Sequence, residues 1–479
     1  MALVNHIKSD RTAEAAIKHP SGWRLFGLRH WWHANPWPTR LWYILLVAFA
    51  LQASVVVFVT KFGVPPDETN HIHFIDYYTE HSLSPILTDQ QPTYNLGDKT
   101  REVDYLYHYV MSLVRRILPF SQTMEHYIIR LISVGVAAAS FVVLRRVFLR
   151  VGVSEWANVA ALAVASGLAM VLMVSGAINN DAFVWLALAL GMSLIVRLYQ
   201  KTRLVDLLWL GSLVAYGGLT KRTFLPIGVV LGVVGFILAL RHWRRLMTEL
   251  RRPTAGLVVA LLVLFGGLVL GAERIGGNII KYGHITPTCD EVRGEAACEV
   301  FWWNIRESYL AQREPERLVA PIEFVGRWFQ ESFINILDIQ TQGWRHEVKP
   351  PVWLEPLLLA MIVIGVGYGA AYELRRCGRD KLARQRLLLL GIGVFYILFH
   401  LLVNYSEYQR SRVFGLALNG RYILAGLLPL LFLTVWYWSI LLRRIPVVLL
   451  VSLALLFIGA ITWGSGLHIL LQNPQLFRG

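Results

Sequence analysis

Charged residues are scarce in this chain. Only 16% of its 479 residues are Asp, Glu, Lys or Arg, whereas 55% are hydrophobic, and the mean hydropathy is +0.49. Soluble globular domains carry about 25% charged residues, so this composition excludes a soluble protein built around one shared core. The sequence also lacks a repeat at solenoid period and any segment of disordered composition. Several apolar stretches must therefore face lipid.

Acidic residues are the scarcer of the two signs. The chain has 31 Asp and Glu against 46 Lys and Arg, which gives a formal net charge of +15. Such an excess can indicate nucleic-acid binding. Here, however, the basic residues form short clusters between apolar runs, which is typical of the cytoplasmic loops of membrane proteins. The distribution argues against a nucleic-acid partner.

Long apolar runs predict an all-α polytopic membrane protein with about 11 transmembrane helices, each near the roughly 20 residues that a bilayer requires. The runs lie at about 41–61, 127–148, 156–175, 181–197, 204–219, 223–240, 254–272, 352–372, 387–403, 421–440 and 446–465. With a cytoplasmic N-terminus, every strong basic cluster falls on the inner side. The C-terminus is then extracytoplasmic.

Two long outer loops, 63–126 and 273–351, are the soluble-like parts of a transmembrane domain that spans 41–479. Residues 1–40 form a cytoplasmic segment in which Trp and Arg interleave, as suits the headgroup layer. Helical spacing of apolar residues predicts a helix from Leu106 to Leu118 along the outer membrane surface. A second amphipathic helix is expected from Phe324 to Leu337.

Cysteine is rare, with three residues in the whole chain. Cys289 and Cys298 both fall in the second outer loop, and Cys377 falls in a cytoplasmic loop. A pair confined to the oxidising side suggests a disulfide. Two free thiols are the alternative; zinc is less favoured, because only His284 is near and a closed zinc site takes four ligands.

An acidic pair follows the first apolar run, in the sequence Pro65-Pro66-Asp67-Glu68, and His71 comes three residues later. Charge at the mouth of a membrane span is costly and is functional by default. The prolines stiffen the approach to Asp67, which makes its carboxylate the candidate catalytic base. Glu68 is expected to orient Asp67, the acceptor or the local backbone, and it can reach His71 if the segment is helical. The alternative is a charge pair that only stabilises a helix N-terminus.

Three cations stand on the outer side. Lys221 and Arg222 occupy a short turn against the inside preference of basic residues, and Arg421 opens a late span. A guanidinium suits phosphate because it offers paired contacts, so these residues are candidates for binding a phosphate group; snorkelling to ordinary headgroups is the alternative. Further candidate substrate contacts are His71, Asp181, Arg345, His346, Arg410 and Tyr422.

Asp181 ends an Asn-Asn-Asp turn and leaves three interpretations open. Its carboxylate supports a sugar hydroxyl, binds a divalent cation together with Asp67, or belongs to a capping turn. No dense acidic cluster of calcium-loop spacing accompanies it. The sequence therefore predicts no metal ligand set and no required cofactor, with a divalent cation as the open alternative.

These features together resemble the GT-C superfamily of polytopic glycosyltransferases. The resemblance lies in the long first outer loop that opens with Asp67-Glu68 and His71, its surface helix, the second long outer loop, and Gly420-Arg421-Tyr422 entering a late span. It is nearest to bacterial relatives of the protein mannosyltransferases and the lipid A aminoarabinose transferase. The resemblance implies an inverting enzyme of the bacterial cytoplasmic membrane. Such an enzyme transfers a sugar from a polyprenyl-phosphate donor to a hydroxyl acceptor at the extracytoplasmic face, with the first-loop acid as base.

Two other functions fit the same topology. A lipid-linked glycan transporter would place polar residues within its spans, whereas these spans are nearly clean. An O-antigen polymerase or ligase relies mainly on outer-loop arginines, and dispensability of Asp67 would favour it.

Overall fold

A computed structural model provides the three-dimensional structure of the chain. It describes residues 36–65, 67–81, 101, 104–118, 120–294, 318–337, 340–341, 344–345, 354–412, 414 and 420–442. The cytoplasmic segment before Pro36 and the eleventh apolar run, 446–465, lie outside these residues, so both stay predictions.

Helices form almost all of the described structure. The first nine are α1 (Trp37–Val59), α2 (Glu68–His81), α3 (Leu106–Ile117), α4 (Gln122–Arg150), α5 (Glu155–Gly167), α6 (Ala169–Ser175), α7 (Asp181–Gln200), α8 (Leu204–Thr220) and α9 (Leu225–Arg241). The others are α10 (Trp243–Leu250), α11 (Ala255–Gly271), α12 (Gly277–Tyr282), α13 (Cys289–Arg293), α14 (Pro321–Leu337), α15 (Leu354–Arg376), α16 (Lys381–Ser411) and α17 (Leu424–Leu441). Two strands of two residues each, β1 (Gln340–Thr341) and β2 (Trp344–Arg345), pair in antiparallel orientation.

Within the described residues, eight helical segments are long and apolar enough to cross a membrane. In chain order, they correspond to the first, second, fourth and sixth to tenth of the predicted apolar runs. The multi-pass membrane character is thus confirmed. The helix α8 is apolar but has 17 residues. The predicted total of eleven stays a prediction.

The third predicted run is not one straight helix. It is divided at Leu168 into α5 and α6, which meet at a bend of 78°. The residues of α6 are all buried, because this short helix turns into the bundle. It packs against α1, α14 and the 3-10 turn Gly420–Ile423 that precedes α17. A hydropathy pattern cannot distinguish a bent pair of buried helices from a straight span.

The predicted loop helices are present. The first-loop prediction, Leu106 to Leu118, corresponds to α3, and the second, Phe324 to Leu337, corresponds to α14. Both are amphipathic, as their sequence spacing requires. Their orientation relative to a membrane stays a prediction.

The core lies around α17, which is buried continuously from Leu424 to Thr434 and packs against α15, α16 and α5. By contrast, α9 and α11 expose large apolar side chains such as Phe236 and Phe265. An exposed apolar surface of this kind is what lipid-facing helices present.

A buried ion pair fixes the end of the bundle that carries most of the arginines. Arg386 of α16 donates to Glu373 of α15 from Nε at 2.6 Å and from Nη2 at 3.1 Å, and its Nη1 donates to the backbone oxygen of Val151 at 2.7 Å. Tyr437 of α17 donates to the same carboxylate at 3.2 Å. The pair joins three spans and the turn after α4.

Candidate functional site

Four charged side chains from distant parts of the sequence meet at the opposite end of the bundle. The Arg421 guanidinium donates from Nη2 to Asp67 Oδ2, and its Nε lies 3.9 Å from Asp181 Oδ2. Lys221 Nζ donates to Asp181 Oδ1. We call Asp67, Asp181, Lys221 and Arg421 the charge cluster; it contains two cations and two carboxylates.

Each member of the charge cluster lies at the end of an apolar helix. Asp67 precedes α2 in the loop after α1, Asp181 is the first residue of α7, and Lys221 follows α8 directly. Arg421 lies in the 3-10 turn Gly420–Ile423, directly before α17. Chain direction alone therefore brings these residues to one end of the bundle.

Asp67 differs from the other members of the cluster in exposure and backbone. Its side chain is 45% exposed, whereas those of Arg421 and Asp181 are 3% and 5% exposed. Its φ angle is +60°, in the left-handed region that Asp and Asn tolerate better than other residues with side chains. A non-glycine residue in this conformation is held there by its surroundings.

Electrostatics keep the Asp67 carboxylate ionised. Partial enclosure by the protein raises its pKa, but the Arg421 guanidinium, together with His71 and Lys221, outweighs this effect and lowers the pKa to about 2. The carboxylate is therefore charged at neutral pH, which a proton acceptor requires. With so low a pKa it is a weak base as long as Arg421 stays beside it.

Tyr422 covers the two cations. Its ring lies 5.4 Å from Lys221 Nζ and 5.0 Å from the guanidinium carbon of Arg421, and its hydroxyl accepts from Arg421 Nη2 at 3.1 Å. The ring of His400 in α16 lies nearly parallel to the Tyr422 ring, with centroids 6.3 Å apart. Cation–π contacts of this kind stabilise partly desolvated charge.

His71 lies in α2 and is bonded to a histidine that the sequence did not single out. Its Nδ1 lies 2.8 Å from Nε2 of His108 in α3, and the rings stack with centroids 5.1 Å apart. Burial, His108 and the nearby cations lower the pKa of His71 well below its ordinary value. His71 is therefore a neutral imidazole at neutral pH, beside the charge cluster.

Glu68 points away from His71, into a buried network around Arg130. The Arg130 guanidinium of α4 donates to Glu68 Oε1 from Nε at 2.7 Å and to Oε2 from Nη2 at 2.5 Å. It also donates to three backbone oxygens at the end of α1, those of Val57, Thr60 and Lys61, at 2.8 to 3.1 Å. Glu68 accepts in addition from the backbone nitrogens of Gly63 and Ile178, both at 2.9 Å.

We call the ion pair of Arg130 and Glu68 the anchor pair, because it ties the residue after Asp67 to α1, α4 and the loop before α7. Both side chains are fully buried. Of the roles expected for Glu68, these contacts match orientation of the local backbone. Sequence reasoning missed Arg130, although an isolated arginine within an apolar run is itself a signal of function or of a buried partner.

Close packing fixes the turn that carries Arg421. A Cβ at Gly420 would collide with the backbone oxygen of Ser332 and lie 3.0 Å from the Ile336 nitrogen, both in α14. Only glycine permits this approach. The second outer loop therefore supports the site through α14, although no side chain of α14 belongs to the charge cluster.

The remaining predicted site residues are not brought into the cluster by the contacts of the described residues. Arg222 is 47% exposed, and its Nε lies 3.7 Å from Asp104 of the first outer loop. Arg345 lies in β2 and Arg410 in α16, but their side chains are outside the described part of the chain, as is all of His346. Their roles stay predictions.

No group of three or more His, Cys, Asp or Glu side chains in the described segments is arranged to hold a metal ion. Asp67 and Asp181 are instead each in contact with a cation. One hydrogen bond agrees with the interpretation of Asp181 as part of a capping turn: the Asp181 backbone nitrogen, at the start of α7, donates to Asn179 Oδ1 at 2.7 Å.

The disulfide between Cys289 and Cys298 stays a prediction, because Cys298 and the Cys289 side chain lie outside the described residues. Thiol labelling of protein purified without reductant should modify Cys377 and spare the other two. Because the bridge closes a short loop, its loss should cost about 2–3 kcal/mol of local stability in the chain-entropy model. Labelling of all three cysteines without reductant would contradict the prediction.

Comparison with known proteins gives a likeness to solved structures but no match in sequence. No protein-family model and no characterised protein sequence matches the chain. Among solved structures, the chain is similar to the oligosaccharyltransferase of Archaeoglobus fulgidus in the apo form, with 9% sequence identity and a TM-score of 0.44. The superposition covers 94% of this chain and 57% of the oligosaccharyltransferase chain. The chain thus spans less than two thirds of the length of that protein.

Proposed function

We propose that the chain is a membrane glycosyltransferase of the GT-C type. It transfers a sugar from a polyprenyl-phosphate donor to a hydroxyl acceptor at the extracytoplasmic face of a bacterial cytoplasmic membrane. The observation that carries this proposal is the charge cluster, in which an exposed carboxylate, Asp67, adjoins two buried cations at the ends of apolar helices. A lipid phosphate needs the cations, and sugar transfer needs the carboxylate. The sequence resemblance described above supports the same assignment.

The proposed reaction is a single displacement at the anomeric carbon. The acceptor oxygen forms a bond to that carbon while its proton passes to Asp67. The bond between the carbon and the phosphate oxygen breaks, and its electron pair stays on the phosphate. Arg421 and Lys221 stabilise the negative charge that develops there. One displacement inverts the anomeric configuration.

Sidedness follows from the charges at the two ends of the bundle. The end opposite the charge cluster carries the arginine clusters of α4, α15 and α16, including Arg150, Arg376 and Arg384. Positive residues of short loops favour the cytoplasm. The charge cluster then faces the extracytoplasmic side, where a sugar acceptor of the cell envelope is available.

The direct test is donor turnover by the purified protein in lipid nanodiscs. A panel of hexose and pentose polyprenyl phosphates is supplied together with a cell-envelope extract as the source of the hydroxyl acceptor, and release of free polyprenyl phosphate is measured. Arg421→Lys should lower turnover about a hundredfold, because an ammonium cannot reproduce the paired contacts of a guanidinium. Arg222→Lys is the matched control and should have little effect, since Arg222 faces Asp104. Equal turnover by wild type and Arg421→Lys would contradict the phosphate site.

A further inference from the structure

Asp67 and a donor phosphate would require the same partner. The Asp67 carboxylate contacts Nη2 of Arg421, and Tyr422 accepts from the same nitrogen. The other nitrogen on the cluster side, Nε, faces Asp181 at 3.9 Å. Lys221 contacts Asp181 as well. Both cations of the charge cluster thus have carboxylate neighbours, and the formal charges of the four side chains sum to zero.

The exposure of the four side chains indicates which contact yields. Arg421, Asp181 and Lys221 are 3%, 5% and 10% exposed, whereas Asp67 is 45% exposed. An anion that arrives from outside therefore meets Asp67 first. The anchor pair holds the backbone next to Asp67. The Asp67 side chain itself is partly exposed and can turn about its two rotatable bonds. Rotation of this side chain is the smallest change that opens Arg421 to a phosphate.

The proposed transfer reaction also moves negative charge from Asp67 to the phosphate. A sugar-linked polyprenyl phosphate is a diester with one negative charge, and the leaving polyprenyl phosphate carries up to two. At the same time Asp67 loses its charge by accepting the acceptor proton. One unit of negative charge therefore passes from Asp67 to the phosphate. Arg421 contacts Asp67, where this charge starts. Interactions that strengthen in the transition state are the ones that accelerate a reaction.

We propose that Arg421 transfers its contact from Asp67 to the donor phosphate, so that Asp67 is an internal competitor of the lipid phosphate. This inference rests on the function proposed above. Loss of the guanidinium also removes the main cause that keeps the Asp67 pKa low, so the carboxylate becomes a stronger base once the donor is in place. Deprotonation of Asp67 after transfer restores its negative charge and favours release of the product.

The test is binding of undecaprenyl phosphate to protein in nanodiscs, with undecaprenol as the control for the lipid chain. Asp67→Asn represents the uncharged state of Asp67, and Asn tolerates its left-handed backbone. This variant should bind undecaprenyl phosphate about tenfold more tightly than wild type, as expected when one charge-assisted contact no longer competes. Undecaprenol binding should not change. Asp67→Gly, which also suits the backbone, should show the same increase and serves if the Asn variant folds poorly.

Two comparisons exclude a general effect of charge. Asp76→Asn removes a carboxylate from α2, the helix that follows Asp67. Because Asp76 contacts Arg115, the affinity of this variant for undecaprenyl phosphate should stay near that of wild type. In an Arg421→Gln background, Asp67→Asn should no longer tighten binding, because the contested partner is gone.

The outcomes separate the two proposals. Unchanged or weaker binding by Asp67→Asn would overturn the competition, and so would equal tightening by Asp76→Asn. Neither result affects the proposed function, which instead fails if the wild-type protein turns over none of the polyprenyl-phosphate sugars; retained turnover by Asp67→Asn would remove Asp67 as the base. Tighter binding together with lost turnover supports both.

Discussion

Asp67→Asn should lower sugar transfer about a thousandfold, as expected when a general base is removed. The amide keeps the size of the side chain and tolerates the φ angle of +60°, so the fold should be preserved. The measurement is turnover of a polyprenyl-phosphate sugar, with thermal unfolding of the same sample as the check on folding. Wild-type turnover would remove Asp67 as the base and favour a polymerase or ligase that relies on outer-loop arginines.

Glu68→Gln is the matched control for this prediction, because it makes the same chemical change one residue away. Glu68 is fully buried against Arg130, so this variant should mainly lose stability, and its folded fraction should be only about tenfold slower in transfer. If the folded Glu68 variant proves the more impaired of the two, the roles of the two acids must be exchanged.

Arg130→Met should destabilise the protein by about 3–5 kcal/mol, because it leaves the Glu68 carboxylate buried without its cation. It also removes the donors to Val57, Thr60 and Lys61 at the end of α1. The double variant Arg130→Met with Glu68→Leu buries no charge at this position and should regain the part of the lost stability that is due to the unpaired carboxylate, but not the part due to the backbone groups that these two side chains bind. Transfer by the double variant should nevertheless stay about a hundredfold slow, since Asp67 is no longer held in place.

The second buried pair provides the control for this prediction. Arg386→Met should cost a similar free energy of unfolding, because Arg386 and Glu373 are also buried and bonded through two nitrogens. Its pair lies at the other end of the bundle, so the folded fraction should transfer sugar at a normal rate. If the Arg130 double variant regains both stability and transfer, the anchor pair is structural only.

Much of the fold follows from hydropathy. Ten of the eleven predicted runs lie on described helices, since a run of apolar residues long enough for a bilayer has few alternatives to a helix. The bend between α5 and α6 was missed because both helices are apolar. Their division at Leu168 depends on how α6 packs inside the bundle, which periodicity does not encode.

The candidate site was predictable where charge conflicts with its surroundings. Asp67, Lys221 and Arg421 each stand at a span end against the local trend, and the structure brings them together. Arg222 was grouped with Lys221 by adjacency, but the turn Arg222–Phe224 directs the two side chains to different partners. The partnership of Glu68 with Arg130 joins residues 62 positions apart, and no local pattern reports such a contact.

The bend at Leu168 also bears on how deep in the bilayer the chemistry takes place. The 13 residues of α5 rise about 20 Å, at roughly 1.5 Å per residue, against a hydrocarbon thickness of about 30 Å. If α5 starts at the cytoplasmic boundary, the bend at Leu168 lies about 10 Å below the opposite boundary. The loop after α6 provides the Ile178 nitrogen that Glu68 accepts from, one residue from Asp67. The 20 residues of α7, which begins with Asp181, rise about 30 Å by the same measure, so the charge cluster lies near the level of the lipid phosphates. A lipid-borne donor would then reach the proposed base without its phosphate leaving its own leaflet.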